Sequence, residues 1–159
     1  MKKDLLERVI NEITKEKEEI ERSIASINKD INDAPSPGQS HSDTTRFQLT
    51  EVVNSLSESV TQKERAISNL IAYSGKIPEN MNKILLGAFV EVTDSENTSE
   101  FYAILPDGAG MNIDIGGKNY IVITLNSPLT RSLLKKVTGE TVLVQVGQNQ
   151  RTLKVISIK

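Results

Sequence analysis

A chain of 159 residues with 37% apolar and only 4% aromatic side chains has room for one or two small domains, and its composition excludes a single large core. The 19 basic and 21 acidic residues leave a net charge of -2, which excludes a general electrostatic pull toward nucleic acid or an anionic membrane. The absence of cysteine excludes disulfides and thiolate metal sites, and a single histidine, His41, excludes a multi-histidine centre.

The first ten residues are basic but run into further charges instead of an apolar leader segment. No stretch approaches the roughly 18–20 apolar residues of a membrane span. The expectation is a soluble, cytoplasmic protein without membrane contact. Two halves differ in pattern. Residues 1–75 are rich in Glu, Lys, Ile and Ser, with Phe47 and Tyr73 as their aromatics, whereas 83–159 carry most of the Gly and Val. Gly75 and Pro78 mark the boundary, because Gly suits a helix end and Pro cannot continue a helix. The predicted domains are 1–75 and 76–159.

In the first half, Leu6, Ile10, Ile13, Lys17, Ile20, Ile24, Ile27 and Ile31 recur at alternating steps of 4 and 3, a heptad seam. Leu49, Val53, Leu56, Val60, Lys63, Ile67 and Leu70 repeat the pattern. Folding the chain about Ser40 pairs the two runs at a constant position sum of 80: Ile31 with Leu49, Ile24 with Leu56, Ile13 with Ile67. The same register sets Lys17 opposite Lys63. Two like charges in one layer are costly unless each reaches an acid, so both lysines are expected to turn to flanking groups such as Glu16, Glu21 or Glu64 and to set the register. The result is an antiparallel coiled-coil hairpin with a polar tip at 32–43, where Pro35, Pro37 and Gly38 stop the first helix and Ser42 or Asp43 can cap the second. A helix of about 27 residues extends roughly 40 Å, which holds the tip far from the second domain.

The second half reads as short strands at 87–93, 100–105, 111–115, 118–124, 141–145 and 150–158. Gly116-Gly117 is a two-residue hairpin turn and Gly147-Gln148-Asn149 a second turn signal. Between strands, Ser127 is a good N-cap with Pro128 at the first helical position, and Leu129, Leu133 and Leu134 share a face that packs a short helix on the sheet. Phe89, Phe101, Tyr102 and Tyr120 are expected to supply core, not a base-stacking platform. The fold class is α+β: a helical hairpin followed by a twisted antiparallel sheet with one short helix.

The run Ile123-Thr124-Leu125-Asn126-Ser127-Pro128-Leu129-Thr130-Arg131-Ser132-Leu133-Leu134, followed by Lys136-Val137-Thr138-Gly139-Glu140-Thr141-Val142, resembles the C-terminal domain of the GreA/GreB transcription elongation factors. The motif likeness covers about 121–158, and the order and size of the halves agree over the whole chain. The resemblance implies an FKBP-like C-terminal domain behind the coiled coil. It implies bacterial RNA polymerase as the partner, engaged at its secondary channel, with no sequence-specific nucleic acid contact. It also implies that the tip helps the polymerase cleave backtracked RNA, using Mg²⁺ shared with the polymerase and no metal or cofactor of its own. Hard Mg²⁺ prefers carboxylate oxygens and activates a bound water.

Carried over residue by residue, the family tip has two acids three apart at the start of the second helix. Asp43 matches one. Its companion then falls on Arg46 or on Ser40, so one carboxylate is missing, and weak or absent cleavage stimulation is expected. Asp33, His41 and Phe47 complete the tip. Ser127, Pro128 and Leu129 match the loop that the family presents to polymerase, with Arg131 available for an ion pair. The chain is expected to be a monomer and not itself an enzyme. Two rivals are an FKBP-type prolyl isomerase, which lacks the aromatics for a lined pocket, and a coiled-coil adaptor unrelated to transcription. A Gre-like inhibitor or competitor that occupies the channel without cleavage is the third alternative.

Overall fold

A computed structural model describes residues 1–33, 40–78, 80–147 and 149–159, with the side chains of 40–43, 146 and 149 outside that description. Two compact units emerge. One comprises Asn11–Ile67, the other Met1–Ile10 together with Ser68–Lys159.

The helical unit is carried by α1 (Lys2–Asp33) and α2 (Ser40–Ser74), neither of which contains Gly or Pro. Ser and Thr residues are accommodated because their hydroxyls bond back one turn: Ser23 to the Glu19 carbonyl, Ser57 to Val53 and Thr61 to Ser57. Burial follows the heptads. Ile13 is buried, and Lys17, Ile20, Ile24, Ile27 and Ile31 are half-buried while the residues flanking them are mostly exposed. Leu49, Val53, Leu56, Val60, Lys63 and Ile67 do the same on α2. The lysine layer behaves as its register requires. Lys17 Nζ lies 3.2 Å from Glu21 and 3.6 Å from Glu64, and Lys63 Nζ pairs with Glu16. The bonds to Glu64 and Glu16 cross between helices, fixing α1 and α2 at the position sum read from the sequence. The Glu21 hydrogen bond, reinforced by the charges of Glu21 and Glu64, raises the Lys17 ammonium above the ordinary lysine range despite partial desolvation.

The second unit is a six-stranded sheet in the order β3-β4-β2-β1-β6-β5. Its strands are β1 (Phe89–Thr93), β2 (Ser99–Ile104), β3 (Asn112–Ile115), β4 (Lys118–Ile123), β5 (Thr141–Val146) and β6 (Asn149–Ile158), each within two residues of its expected position. Gly116 and Gly117 have φ of 62° and 77°, the left-handed pair that a two-residue hairpin turn demands. The sheet departs from the antiparallel expectation at one place: β2 pairs with β4 in parallel. The cause is topological. The β3–β4 hairpin is inserted whole beside β2, and its second strand, after two reversals, runs in the direction of β2.

Strand alternation gives the sheet two buried faces. Val90, Val92, Tyr102, Ile104, Ile123, Val142, Val144, Leu153 and Val155 line one, covered by Ile84 and by Leu133 of α3 (Pro128–Leu133). Phe89, Ala103, Tyr120 and Val122 line the other, with the Phe89 and Tyr120 rings 5.2 Å apart. The base of α1 belongs to this unit: Leu5, Leu6 and Val9 are almost completely buried, as is Leu70 of α2. Val9 and Val122 converge over Gly108, where a Cβ would clash with Val9 at 2.7 Å. Asn69 bonds Asp107 at 2.8 Å, and Tyr73 Oη donates to the Leu86 carbonyl at 2.8 Å. Gly87, at φ 86°, has no Cβ to collide with that tyrosine.

Candidate functional site

Two segments carry the sequence-derived candidates, one in each unit. The first is α3 and its approaches. Ser127 has the extended backbone of an N-cap, and its carbonyl accepts the Arg131 N–H at 3.1 Å, but its hydroxyl makes no capping bond. Pro128 opens the helix and is exposed. Its missing N–H costs nothing there, because a first-turn N–H has no helical partner. The buried face consists of Thr130 and Leu133, with Leu129 half-buried against the core. Leu134, expected on that face, is instead the C-cap, its N–H donating to the Thr130 carbonyl at 2.8 Å. The helix ends one residue earlier than the leucine spacing implied.

Beyond the cap, Lys135 adopts φ 66°, and the chain is clamped by reciprocal bonds with the 84 segment: Lys135 N–H to the Ile84 carbonyl at 2.7 Å, and Ile84 N–H to the Lys136 carbonyl at 2.8 Å. Glu140 then accepts the Val137 N–H at 2.8 Å and the Lys136 ammonium at 3.1 Å. Those bonds, the backbone one foremost, hold the Glu140 carboxyl below the usual range. Held this way, the segment leaves Pro128 and Arg131 in solvent, flanked along the chain by Leu125 (42% exposed) and Val137 (43% exposed). Neither of those two was singled out from the sequence. The available signal was their position just outside the strand and helix ends, where an apolar side chain has no core to enter.

The second segment is the hairpin tip. Asp33 is the last residue of α1 and is exposed. α2 already begins at Ser40, so Ser42 and Asp43 lie within its first turn instead of capping it. A carboxylate in a first turn is favoured by the helix dipole. The connection 34–39, with Pro35, Pro37 and Gly38, lies outside the described residues, as do the side chains of Ser40, His41 and Asp43. Arg46 is half-buried at the position one heptad step before Leu49, and Phe47, off the seam, is 68% exposed. Ser40, Asp43 and Arg46 follow at three-residue spacing along α2. Among the described residues, no three His, Asp or Glu side chains group as metal ligands, and no helix is long and apolar enough to cross a membrane.

The Ser127-Pro128 turn and the strands around it lie within the stretch that a family model matches. A family model described as "Transcription elongation factor, GreA/GreB, C-term" matches residues 78–159. A curated relative, transcription elongation factor GreB of Pseudomonas putida, is 33% identical over 90 residues, covering 57% of this chain and 50% of its own length. The chain thus spans about half the length of the curated relative it matches. Among solved structures, transcription factor Gfh1 aligns over 97% of this chain and 92% of its own, at 17% identity and a TM-score of 0.41. GreA factor homolog 1 (Gfh1) of Thermus thermophilus aligns over 97% and 94%, at 15% identity and a TM-score of 0.40. Since the family model spans just over half of its residues, the chain belongs to the GreA/GreB family of transcription elongation factors.

Proposed function

We propose that this chain binds bacterial RNA polymerase at the secondary channel, docking through the 125–131 segment and acting on elongation with the tip of its coiled-coil hairpin. The observation that carries the reading is the family match across 78–159, which includes the solvent-exposed Pro128 turn with Arg131 beside it. An apolar turn with a neighbouring guanidinium, backed by a core-anchored helix, is a pre-organised contact: little conformational entropy is lost when a partner covers it. At the tip, Asp43 is the one acid at the family position, with Ser40 and Arg46 where a second could stand. A magnesium ion in the reaction would belong to the polymerase, with Asp43 as this chain's contribution to its surroundings. A single carboxylate supplies less charge to orient and deprotonate an attacking water, so stimulation of transcript cleavage is weak or absent. Occupation of the channel without robust cleavage then makes the chain a modulator or competitor of elongating polymerase.

The test combines partner and chemistry. Purified core polymerase should retain the wild-type chain and lose it on Pro128→Glu; failure of the wild type to bind would end the reading. On stalled, backtracked complexes the wild type should stimulate cleavage far less than a two-acid relative. Robust cleavage that Asp43→Ala abolishes would show that one acid suffices and would remove the inhibitory half of the proposal.

A further inference from the structure

The two edges of the sheet are finished differently. β3 has four residues, carries Asp114 and turns its even-numbered residues outward, because Ile115 and Lys118 close its hairpin as a bonded pair. The outward Asp114 carbonyl is taken by the Arg8 guanidinium at 2.8 Å. That edge is short, charged and capped, as exposed edges commonly are.

β5 has none of these protections. Its six residues, Thr-Val-Leu-Val-Gln-Val, include no charge and no proline. Val146 and Asn149 close the β5–β6 hairpin. At the other end, the Val155 N–H bonds to the Glu140 carbonyl at 2.8 Å, which gives the same alternation. Val142, Val144 and Val146 therefore bond inward to β6, while Thr141, Leu143 and Gln145 direct N–H and C=O away from the sheet. Among the described residues no backbone hydrogen bond reaches those outward groups. The side chains of the same three residues are exposed, Leu143 to 57%.

We infer that the β5 edge is a self-association surface, on which a second copy of this chain adds its own β5 antiparallel about a two-fold axis at Leu143. The sequence of the strand is self-complementary in that register. Leu143 faces Leu143 of the second copy, and Thr141 faces Gln145. All three outward residues become bonded pairs, giving about six interchain backbone hydrogen bonds. The two valine-lined faces meet as Val142 against Val144, and no like charges are opposed along the strand. The two sheets become one continuous sheet, and the interface is isologous and closed, so it stops at a dimer. The contact area of one strand pair is small, so the dimer is a weak one. The sequence led to the expectation of a monomer, and the two readings separate in the experiment below.

Sedimentation equilibrium on the purified full chain, over roughly 10 to 500 µM as suits a weak interface, reads the association directly. The wild type should move toward twice the monomer mass as concentration rises. Leu143→Lys and Leu143→Glu should each associate at least about tenfold more weakly, and an equimolar mixture of the two should recover, because the axis sets the opposite charges face to face. Amide exchange gives a second readout that needs no variant: protection at Thr141, Leu143 and Gln145 should rise with concentration while Asn112 and Asp114 stay unchanged. A wild type that remains monomeric throughout, association equal in wild type and Leu143→Lys, or a mixture that does not recover would each overturn the inference.

Discussion

The helical unit and the sheet unit obtain their stability in different ways. In the hairpin, from Ile20 to the tip, no seam residue of α1 is more than half-buried, so each layer contributes a fraction of what a core side chain does. In the sheet unit, Val90, Val92, Ile104, Leu133 and Val155 are fully enclosed between β-strands and the elements that cover them. Two helices touching along one stripe leave most of their surface in water, whereas a sheet covered on both faces does not. The lesson is that length and register organise the hairpin, and enclosure organises the sheet unit.

The strongest test of that contrast is Leu153→Ala. Removing a side chain that is 1% exposed should cost about 2–5 kcal/mol, read as a lowered denaturant midpoint of the sheet unit. Ile24→Ala should cost about 1 kcal/mol, since a half-buried isoleucine loses less transfer free energy and leaves no closed cavity. A loss equal to that of Leu153→Ala in the helical circular dichroism melt would erase the distinction. The smallest effect is electrostatic. The Glu140 carboxyl has a lowered pKa, so its contribution is present above the ordinary glutamate value and disappears as pH falls through the lowered one. Glu140→Gln should therefore melt below the wild type at pH 7, and the two curves should merge at acid pH once the lowered carboxyl pKa is passed; a constant gap across that titration would assign the effect to packing.

The same contrast governs what could be read in advance. Helix pairing is a local, periodic problem, and the position sum of 80 placed Lys17 and Lys63 in one layer beside Glu64 and Glu16, where they stand. Each strand was legible too, because turn glycines and alternating Val and Ile are local signals. The order of the strands was not. The parallel β2–β4 pair joins residues whose sequence carries no mark of their partner. Burial at the base of α1 was equally hidden. Leu5 and Val9 lie off the heptad seam, yet both are 0% exposed, because that part of the helix belongs to the sheet unit. At α3, the proline at the first turn was legible, but a capping hydroxyl on Ser127 was inferred from residue preference and does not form. The first-turn N–H groups that such a hydroxyl would serve can be satisfied by solvent instead, so residue preference alone does not fix a cap. Leu125 and Val137 escaped notice because exposure of an apolar residue depends on what lies across from it.

The placement of β6 sets an order of events. It occupies the interior of the sheet, between β1 and β5, and its pairing joins Val90 to Ile158 and Thr93 to Lys154. During synthesis β1 can pair with β2 as soon as both have emerged, but its other edge stays open for about fifty residues more, until the β5–β6 hairpin arrives. That interval exposes the Phe-Val-Glu-Val-Thr strand with one unpaired side, and its single glutamate at position 91 is the charge that discourages premature partners. Glu91 is afterwards retained in the finished sheet, where Lys118 and Ser157 both reach it. A residue that guards the nascent edge thus becomes the polar bridge between β1, β4 and β6 once the strand that it waits for has joined.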